Sequence, residues 1–385
     1  MAGEAKLILR YQDGEQIAEL TASASTTIGG RYGGFWTLGC HQVVNGVGLL
    51  TWTMDARSDL AANDELGHNA QIEFWRRDTA LGIDWYQEFS GIQRAWEIAR
   101  DGAKATYTGY VEDAKTILGW RIAAYYTAVA NRTTFSSQPV ETIMKNLVKY
   151  NLTASGTTGD GRLRDATSGG VVSGFTITVQ ADAGLGEVTN WNCAQDNVLA
   201  TLQKLALLGF TGGTPMDFDL IKIADASYEF RTYLNQRGTD RTGDVTFSVD
   251  FDNMVNPTIG YDQRGEKTVA IVGGQGIEAA RSFDVSAEGW EYSASGNNIE
   301  QFVQATNTPT AGLYAVGREA MEKYRARKRI TFGVRQASKY YGRDYFLGDR
   351  VIAYFDEAIY QKIESATLAY DGDGKETIDI GLREL

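Results

Sequence analysis

The chain has 385 residues, 43% of them hydrophobic and 22% charged, which is typical of a soluble globular protein with two or three domains of about 150 residues. Its 37 Lys and Arg against 49 Asp and Glu give a formal charge of −12. This charge argues against stable nucleic-acid binding, because binding to the phosphate backbone needs clustered cations. No membrane anchor is expected, since the start MAGEAKLILR lacks a signal-peptide segment and the most apolar run, 119–130, is interrupted by Arg121.

Residues 1–118 are predicted to form a first β domain. Aromatic residues make up 11% of the chain, glycine occurs 43 times and proline 4 times, which favours strands joined by tight turns. Asp13-Gly14 and Asp101-Gly102 each predict a hairpin. The predicted strands lie at 7–9, 17–20, 48–54, 71–76, 85–100 and 103–112. Because no helical period interrupts them, a barrel or sandwich is favoured.

Residues 119–215 are predicted to be an inserted helix-and-loop domain. Apolar residues recur at helical spacing over 140–148, and Pro139 suits the first position of that helix. Residues 153–190 are rich in glycine and hydroxyl side chains and predict long loops around one strand at 175–179. A second helix is predicted from about Asn192 to Gly209, with Gln195 completing a capping box.

Residues 216–385 are predicted to form a second β-barrel with a helix at about 312–328. The predicted strands lie at 218–223, 228–234, 245–251, 268–272, 330–334, 350–355, 359–370 and 377–382. The overall fold class is therefore α+β and mainly β, with two barrels and helices and loops inserted between them.

A basic run, Arg325, Arg327, Lys328 and Arg329, follows the third predicted helix in an otherwise acidic protein. One interpretation is a solvated helix end, where cations are favourable. The other is a docking patch for an acidic partner. The sequence leaves both open.

An internal repeat supports the two-barrel arrangement. The segment that begins Tyr86-Gln87 and runs to Asp101-Gly102 and a returning strand is echoed by the segment that begins Tyr360-Gln361 and runs to Asp371-Gly372 and a returning strand. A strand precedes each copy. This shared order favours a duplicated β unit.

No motif indicates catalysis, a cofactor or a metal. Only His41 and His68 are present, and Cys40 and His41 are adjacent, which on a strand directs them to opposite faces. The two cysteines, Cys40 and Cys193, cannot build a disulfide framework. Paired acids for glycoside hydrolysis stay open, because 49 carboxylates offer many pairs and no local motif marks one.

Two glycine-rich motifs are interpreted as turns. Gly274-x-Gly276-x-x-Ala279 has the outline of a dinucleotide fingerprint, but no helix of useful length follows it. The run 371–376 opens like a calcium loop, but Lys375 occupies a position for an oxygen ligand, so a hairpin is favoured.

Two segments resemble a family of siphophage tail-tip or baseplate hub proteins: TVAIVGGQGIEAARSF at 268–283 and YGRDYFLGDRV at 341–351. The likeness extends over most of the chain in the order of its elements. It includes the helix at 140–148 followed by Arg162 and Arg164, the helix at 197–208, Arg281, the helical and basic segment at 318–329, and Leu347-Gly348-Asp349-x-Val351.

The resemblance implies a structural virion protein and not an enzyme. It also implies two tail-tube-like barrels, in which three copies match a sixfold tube to a threefold tip. The implied partners are tail-tube, tape-measure and tip or fibre proteins, and the implied location is the phage tail tip after assembly in the host bacterial cytoplasm. DNA would pass through the channel, and the acidic charge would repel it. The chain ends directly after its last strand, which suggests a hub without an added hydrolase or fibre domain. The alternative function is a virion-borne or secreted carbohydrate-binding or glycan-cleaving protein, which the aromatic and acidic composition favours.

Overall fold

The computed structural model describes residues 4–22, 34–62, 66–67, 69–123, 133–154, 174–211, 213–287, 298–306, 308–336, 338–371 and 375–384. Eleven strands form one large sheet. They are β1 (Glu4–Arg10), β2 (Gln16–Thr21), β3 (Phe35–Val43), β4 (Leu49–Asp55), β5 (Gln71–Asp78), β6 (Ile83–Asp101), β7 (Lys104–Asp113), β13 (Thr246–Phe247), β19 (Arg350–Phe355), β20 (Glu357–Tyr370) and β21 (Glu376–Glu384). Their order is β13-β19-β20-β3-β4-β7-β6-β5-β1-β2, with β21 also paired to β20. A short helix, α1 (Asp59–Ala62), follows β4.

One face of this sheet is buried because apolar side chains alternate with polar ones along its strands. In β3, for example, Leu38 and Cys40 are buried while Thr37 and His41 are exposed. Cys40 and His41 therefore lie on opposite faces, as predicted. The buried side chains of strands from both ends of the chain, such as Trp52 of β4 and Val351 of β19, form one core.

The two predicted barrels are not confirmed, because the strand order in the described residues is an open path and strands from both ends of the chain share one sheet. Strands from both ends of the chain share one sheet because β20 is long, with 14 residues. Its first half pairs with β19, and its second half pairs with β3 from Ser365–Val43 to Tyr370–Leu38. One strand therefore joins the N-terminal strands to the C-terminal strands. An isolated bridge between Ala22 and Phe35 also brings the end of β2 back to β3.

The predicted repeat corresponds to two similar antiparallel meanders, β5-β6-β7 and β19-β20-β21. In each, the long middle strand has a register shift against the last strand, between Gln93 and Ala95 in β6 and between Ile363 and Ser365 in β20. The hairpin between β6 and β7 turns at Gly102, whose φ is +57°. Residues 372–374 of the second hairpin lie outside the described residues.

The middle of the chain has a second core, formed by helices and small sheets. Its elements are β8 (Thr133–Pro139), α2 (Val140–Leu152), β9 (Thr176–Val179), β10 (Val188–Cys193), α3 (Val198–Thr211), β11 (Met216–Ala224) and β12 (Ser227–Leu234). Helix α2 begins at Val140, one residue after the predicted first position, because Pro139 ends β8 and is the N-cap; the helix ends one turn later than predicted. The predicted start of the next helix is wrong, because Asn192 lies in β10, which pairs with β8, and Asn197 caps α3 by accepting the Ala200 N–H (3.1 Å).

The last elements are β14 (Met254–Tyr261), β15 (Val269–Gly273), β16 (Phe283–Ala287), β17 (Glu300–Gln304), α4 (Leu313–Tyr324) and β18 (Lys328–Val334). Helix α4 packs on the sheet β16-β15-β17, and β14 pairs with β18. The predicted turn after β15 is observed: Gly276 has φ +94°, and a Cβ there would lie 2.2 Å from Ala280 O. Helix α4 is shorter than predicted, because Arg325 has an extended backbone and Lys328 enters β18.

Buried ion pairs join the large sheet to the middle core through β11. Met216, Phe218 and Leu220 of β11 face the middle core, whereas Asp217 and Asp219 lie between them in sequence and point the other way. Asp217 accepts hydrogen bonds from Lys362 Nζ of β20 (2.8 and 3.1 Å), and both side chains are about fully buried (0% and 1% exposed).

A second buried group of charges surrounds Asp219. Arg237 Nε donates to Asp219 Oδ2 (2.5 Å), and Lys115 Nζ lies 3.5 Å from Asp219 Oδ1 and 2.8 Å from Asp113 Oδ2. Burial alone would raise the pKa of Asp219, but Lys115 and Arg237 lower it to about 2. The carboxylate is therefore held in its charged form at the junction between the sheet and the middle core.

We predict that Lys362→Met destabilises the protein by about 3–5 kcal/mol, because it leaves the Asp217 carboxylate buried without its cation. Chemical denaturation measures the change. The double variant Lys362→Met with Asp217→Asn should regain part of the loss, since an amide keeps the hydrogen bond from Arg237 N–H (2.8 Å) without a buried charge. A single variant as stable as the parent chain would contradict this role.

Acid is expected to weaken the junction through Asp219. The pKa of Asp219 is lower in the folded chain than its ordinary value of 3.8. Its contribution to the stability of the folded chain is therefore present above about pH 4 and is lost as pH falls towards about 2. Asp219→Asn should be less stable than the parent chain at neutral pH and lose less stability over that acid range. Unfolding free energies measured across pH test this expectation, with Asp379→Asn at an exposed position as the control. If Asp219→Asn lost as much stability in acid as the parent chain, the expectation would be contradicted.

Candidate functional site

The basic run, which was considered as a docking patch from sequence, begins directly after α4. Its first two cations form ion pairs within the protein. Arg325 Nη1 lies 3.5 Å from Glu322 Oε2, and Arg327 also pairs with Glu322, whose side chain has no exposed surface. Arg383 of β21 approaches the same carboxylate at 3.8 Å. Arg325 and Arg327 therefore compensate a buried charge, which is a different role from the solvated helix end considered from sequence.

Lys328 is the more accessible cation of the run, with 42% of its side chain exposed and an ion pair to the exposed Glu357. Its backbone N–H donates to Glu384 Oε2 of β21 (2.7 Å). The side chain of Arg329 lies outside the described residues. The run is thus divided between inward-facing and outward-facing cations, a division that depends on the position of Glu322.

A groove of about 460 Å³ lies beside this run. Its walls include Ile330 and Phe332 of β18, Ile380 and Leu382 of β21, and Arg327. A volume of this size is within the range of ligand and peptide sites. Sequence reasoning did not find the groove, because β18 and β21 meet only through the tertiary fold.

The second candidate surface is the outward face of the large sheet, which we call the threonine face. It comprises mainly exposed or half-buried threonines: Thr37, Thr51, Thr53, Thr106, Thr108, Thr367 and Thr377. Adjacent strands place these side chains in rows, so that Thr37 pairs with Thr53 and Thr53 with Thr108. Hydrogen bonds cross the strands here, between Thr37 Oγ1 and Thr53 Oγ1 (2.7 Å) and between His41 Nδ1 and Thr367 Oγ1 (2.9 Å).

Strands from both ends of the chain contribute to the threonine face. Its sequence signal is the alternation of threonine with buried residues in Thr51-Trp52-Thr53 and Thr106-Tyr107-Thr108. This alternation predicts half-buried strands but not that they align with β20. The threonines of the two chain ends form one face because β3 and β20 are neighbours in the sheet.

Other residues that the sequence analysis singled out do not assemble into a reaction site in the described residues. Cys40 and Cys193 are buried and free, and burial raises the pKa of both thiols, to about 12 for Cys193. His68, Arg162 and Arg164 lie outside the described residues. Where the chain is described, no group of three or more His, Cys, Asp and Glu side chains is arranged to hold a metal. The described helices include none long and apolar enough to cross a membrane.

The fold is shared with solved phage tail proteins. The 43 kDa tail protein of prophage MuSo2 from Shewanella oneidensis is 12% identical and superposes with a TM-score of 0.55, over 99% of this chain and 98% of that chain. A tail protein from Neisseria meningitidis MC58 is 11% identical with a TM-score of 0.53, over 100% and 97%. A chain of the Francisella PdpA-VgrG complex is 7% identical with a TM-score of 0.50, over 99% of this chain and 58% of that chain.

Sequence comparison gives the family. No curated protein sequence matches the chain significantly. The profile of the family described as Siphovirus ReqiPepy6 Gp37-like protein matches residues 76–382, well over half of the chain. This match agrees with the shared fold and confirms the resemblance to siphophage tail proteins. The chain therefore belongs to the Siphovirus ReqiPepy6 Gp37-like protein family.

Proposed function

We propose that this protein is a structural hub at the tail tip or baseplate of a siphovirus, located in the virion after assembly in the host cytoplasm. In this proposal, three copies form a ring that joins the tail tube and tape-measure protein to the distal tip or fibres. DNA leaves through the centre of the ring. Family membership and the tail-protein fold support this assignment.

The observation that carries the proposal is the continuous threonine face to which both ends of the chain contribute. A channel wall for DNA must offer few cations, because clustered Lys and Arg bind phosphates by releasing counterions. Threonine hydroxyls make the wall polar without adding cations that bind phosphates. We propose that this face lines the channel and that the −12 charge adds long-range repulsion.

The predicted domains are two tube-like β units, residues 1–118 and 216–385, around residues 119–215. Because β11 and β12 of the second unit pack in the middle core, we propose that they turn outward or towards a neighbour together with residues 119–215. The bridge between Ala22 and Phe35 supports curling of the N-terminal strands, since it brings the last strand of the sheet back to β3. Packing of β14 and β18 on the same core as β19 supports curling of the C-terminal strands. Assembly into a ring would leave few free strand edges.

The ring is tested by the mass of the protein in solution, alone and with its tail-tube neighbour, together with negative-stain imaging. We expect a threefold particle with a central channel. A monomer that binds or cleaves cell-wall glycan would contradict the proposal and support the alternative function. A particle of another symmetry would contradict the trimer.

Lysines on the threonine face should slow DNA ejection if that face lines the channel. The variant Thr53→Lys with Thr108→Lys adds two cations to adjacent strands, and each phosphate contact strengthens DNA binding in a salt-dependent way. Ejection from triggered particles is followed with a DNA-binding dye. Thr176→Lys with Thr178→Lys adds the same charge to exposed positions of β9 and serves as control. Equal ejection rates for both variants would place the face outside the channel.

The proposed docking role of Arg325, Arg327, Lys328 and Arg329 is tested best at Lys328. Lys328→Glu should reduce tail assembly while leaving thermal stability nearly unchanged, since exposed ion pairs contribute little to stability. Arg327→Glu should instead lower stability, because it adds a second carboxylate beside the buried Glu322. Normal particles from Lys328→Glu would remove the docking role.

A further inference from the structure

We propose that neighbouring copies of this chain join edge to edge, with the outer edge of β6 over residues 95–101 paired to the outer edge of β14 of the next copy. This pairing rests on the proposed hub and deepens it, because it names the two strands that close the ring. The interface is heterologous, since each copy contributes a different edge to each of its two neighbours.

The two edges lie at opposite ends of one wall. The large sheet supplies six strands in the order β6-β7-β4-β3-β20-β21. Strand β18 lies beside β21, where Lys328 N–H donates to the Glu384 carboxylate (2.7 Å), and Ile330 and Ile380 of these strands enter the same core. Strand β14 pairs with β18 and is the last of the series. The wall therefore has eight strands, with β6 and β14 at its ends.

A further threonine pair extends the threonine face along this wall. Thr331 of β18 and Thr258 of β14 are exposed and directly opposite each other. Their neighbours Ile330 and Ile259 pack on the core of the large sheet, so the threonines point to the other side. The surface that we propose lines the channel thus reaches β14, and a neighbouring copy has to join it at the ends of the wall.

Both end strands keep an edge without a ladder partner in the part of the chain that the structure describes. Strand β5 pairs with β6 only as far as Ile92, so residues 95–101 pair with β7 alone, and all of them are exposed. Strand β14 pairs with β18 alone. Pro257 lacks an N–H and lies where the register of β14 shifts, so the regular part of this edge is 258–261. Such edges are templates for strand addition.

Apolar side chains are exposed on the core side of both edges. Trp96 and Ile98 of β6 are 49% and 39% exposed, and Trp96 stacks on the buried Tyr107 with 5.9 Å between ring centroids. Tyr261 of β14 is 52% exposed. Side chains on one face of paired strands lie about 4.5–5.5 Å apart, so a strand added to each edge would cover these groups.

Charge does not oppose the junction. The edge of β6 carries Glu97, Arg100 and Asp101, whereas residues 254–261 of β14 include no charged side chain. Like charges directly opposite each other destabilise a strand pair, and this pairing brings none together. Backbone hydrogen bonds and the apolar side chains therefore supply the contact.

The strand directions also fit a junction between two copies. Neighbouring strands are antiparallel from β6 to β21, and β14 is antiparallel to β18. The start of β18 contacts the end of β21 through Lys328 and Glu384, so these two strands also run in opposite directions. With an even number of alternating strands, β14 meets the next β6 as an antiparallel neighbour. Three such walls exceed the about 16–18 strands with which barrels already enclose an aqueous channel.

Cysteine cross-linking in assembled particles tests the junction. Ala99→Cys on β6 and Gly260→Cys on β14 place thiols on the threonine side of the two edges, whereas the native Cys40 and Cys193 are buried. A short bismaleimide linker joins neighbouring strands even when their register differs by two residues. Denaturing electrophoresis should show covalent dimers and trimers at about tenfold or greater yield than in either single variant.

An edge variant and a matched control test the same strand without a linker. Ile98→Lys places a cation among the apolar side chains of the β6 edge and should lower the yield of assembled tails by about tenfold. Thr176→Lys adds the same charge at an exposed position of β9 and should leave the yield within about twofold. Circular dichroism and thermal unfolding verify that both variants fold.

The pairing is overturned if the double cysteine variant gives no cross-link in particles, or if Ile98→Lys assembles tails as well as the parent chain. Dimers from Ala99→Cys alone would overturn it in favour of β6 paired with itself. Normal rings without cross-links would leave the hub standing and remove these edges. A covalent ladder that ends at a number other than three would support the edges and contradict the proposed trimer.

Discussion

The arrangement of this protein depends on the burial of the two β11 acids, Asp217 and Asp219, against cations from distant parts of the chain. Their partners, Lys362 and Lys115 with Arg237, are brought in from β20 and from the segments beside the middle core. A buried carboxylate is tolerated only with a matched cation and hydrogen bonds. An apolar contact can slide, but these pairs require one registration of the middle core on the large sheet. The junction therefore helps to fix the position of the middle core on the large sheet.

Strand β20 imposes the second constraint, because it pairs with β19, β3 and β21 and so commits both ends of the chain to one sheet. A continuous outer surface follows from that pairing. The threonine face owes its extent to this continuity, since threonines from β4 and β7 reach those of β20 through β3. The pairing of β20 with β3 therefore creates the surface that we propose lines the channel.

The basic run contains cations with different structural positions. Arg325 and Arg327 turn inward to the buried Glu322, and Lys328 turns outward beside the groove. A charged cluster in a sequence is therefore a composite of residues with separate roles. The groove and the cations that border it arise from the same feature, the abrupt end of α4 and the start of β18 next to β21.

The sequence by itself determined the mainly β class, the hairpins at Asp13-Gly14 and Asp101-Gly102, the start of α2 and the family resemblance, because turn chemistry and side-chain periodicity act over a few residues. It placed the next helix too early, since Asn192 is recruited into β10 by pairing with β8. It also separated the chain into two barrels that the described residues do not close. Which strands become neighbours, whether Asp217 and Asp219 are buried or solvated, and whether β18 faces β21 were decided only by the tertiary structure. These outcomes depend on contacts between residues that are distant in the chain, such as Asp217 with Lys362 and Lys328 with Glu384, and local pattern carries no record of them.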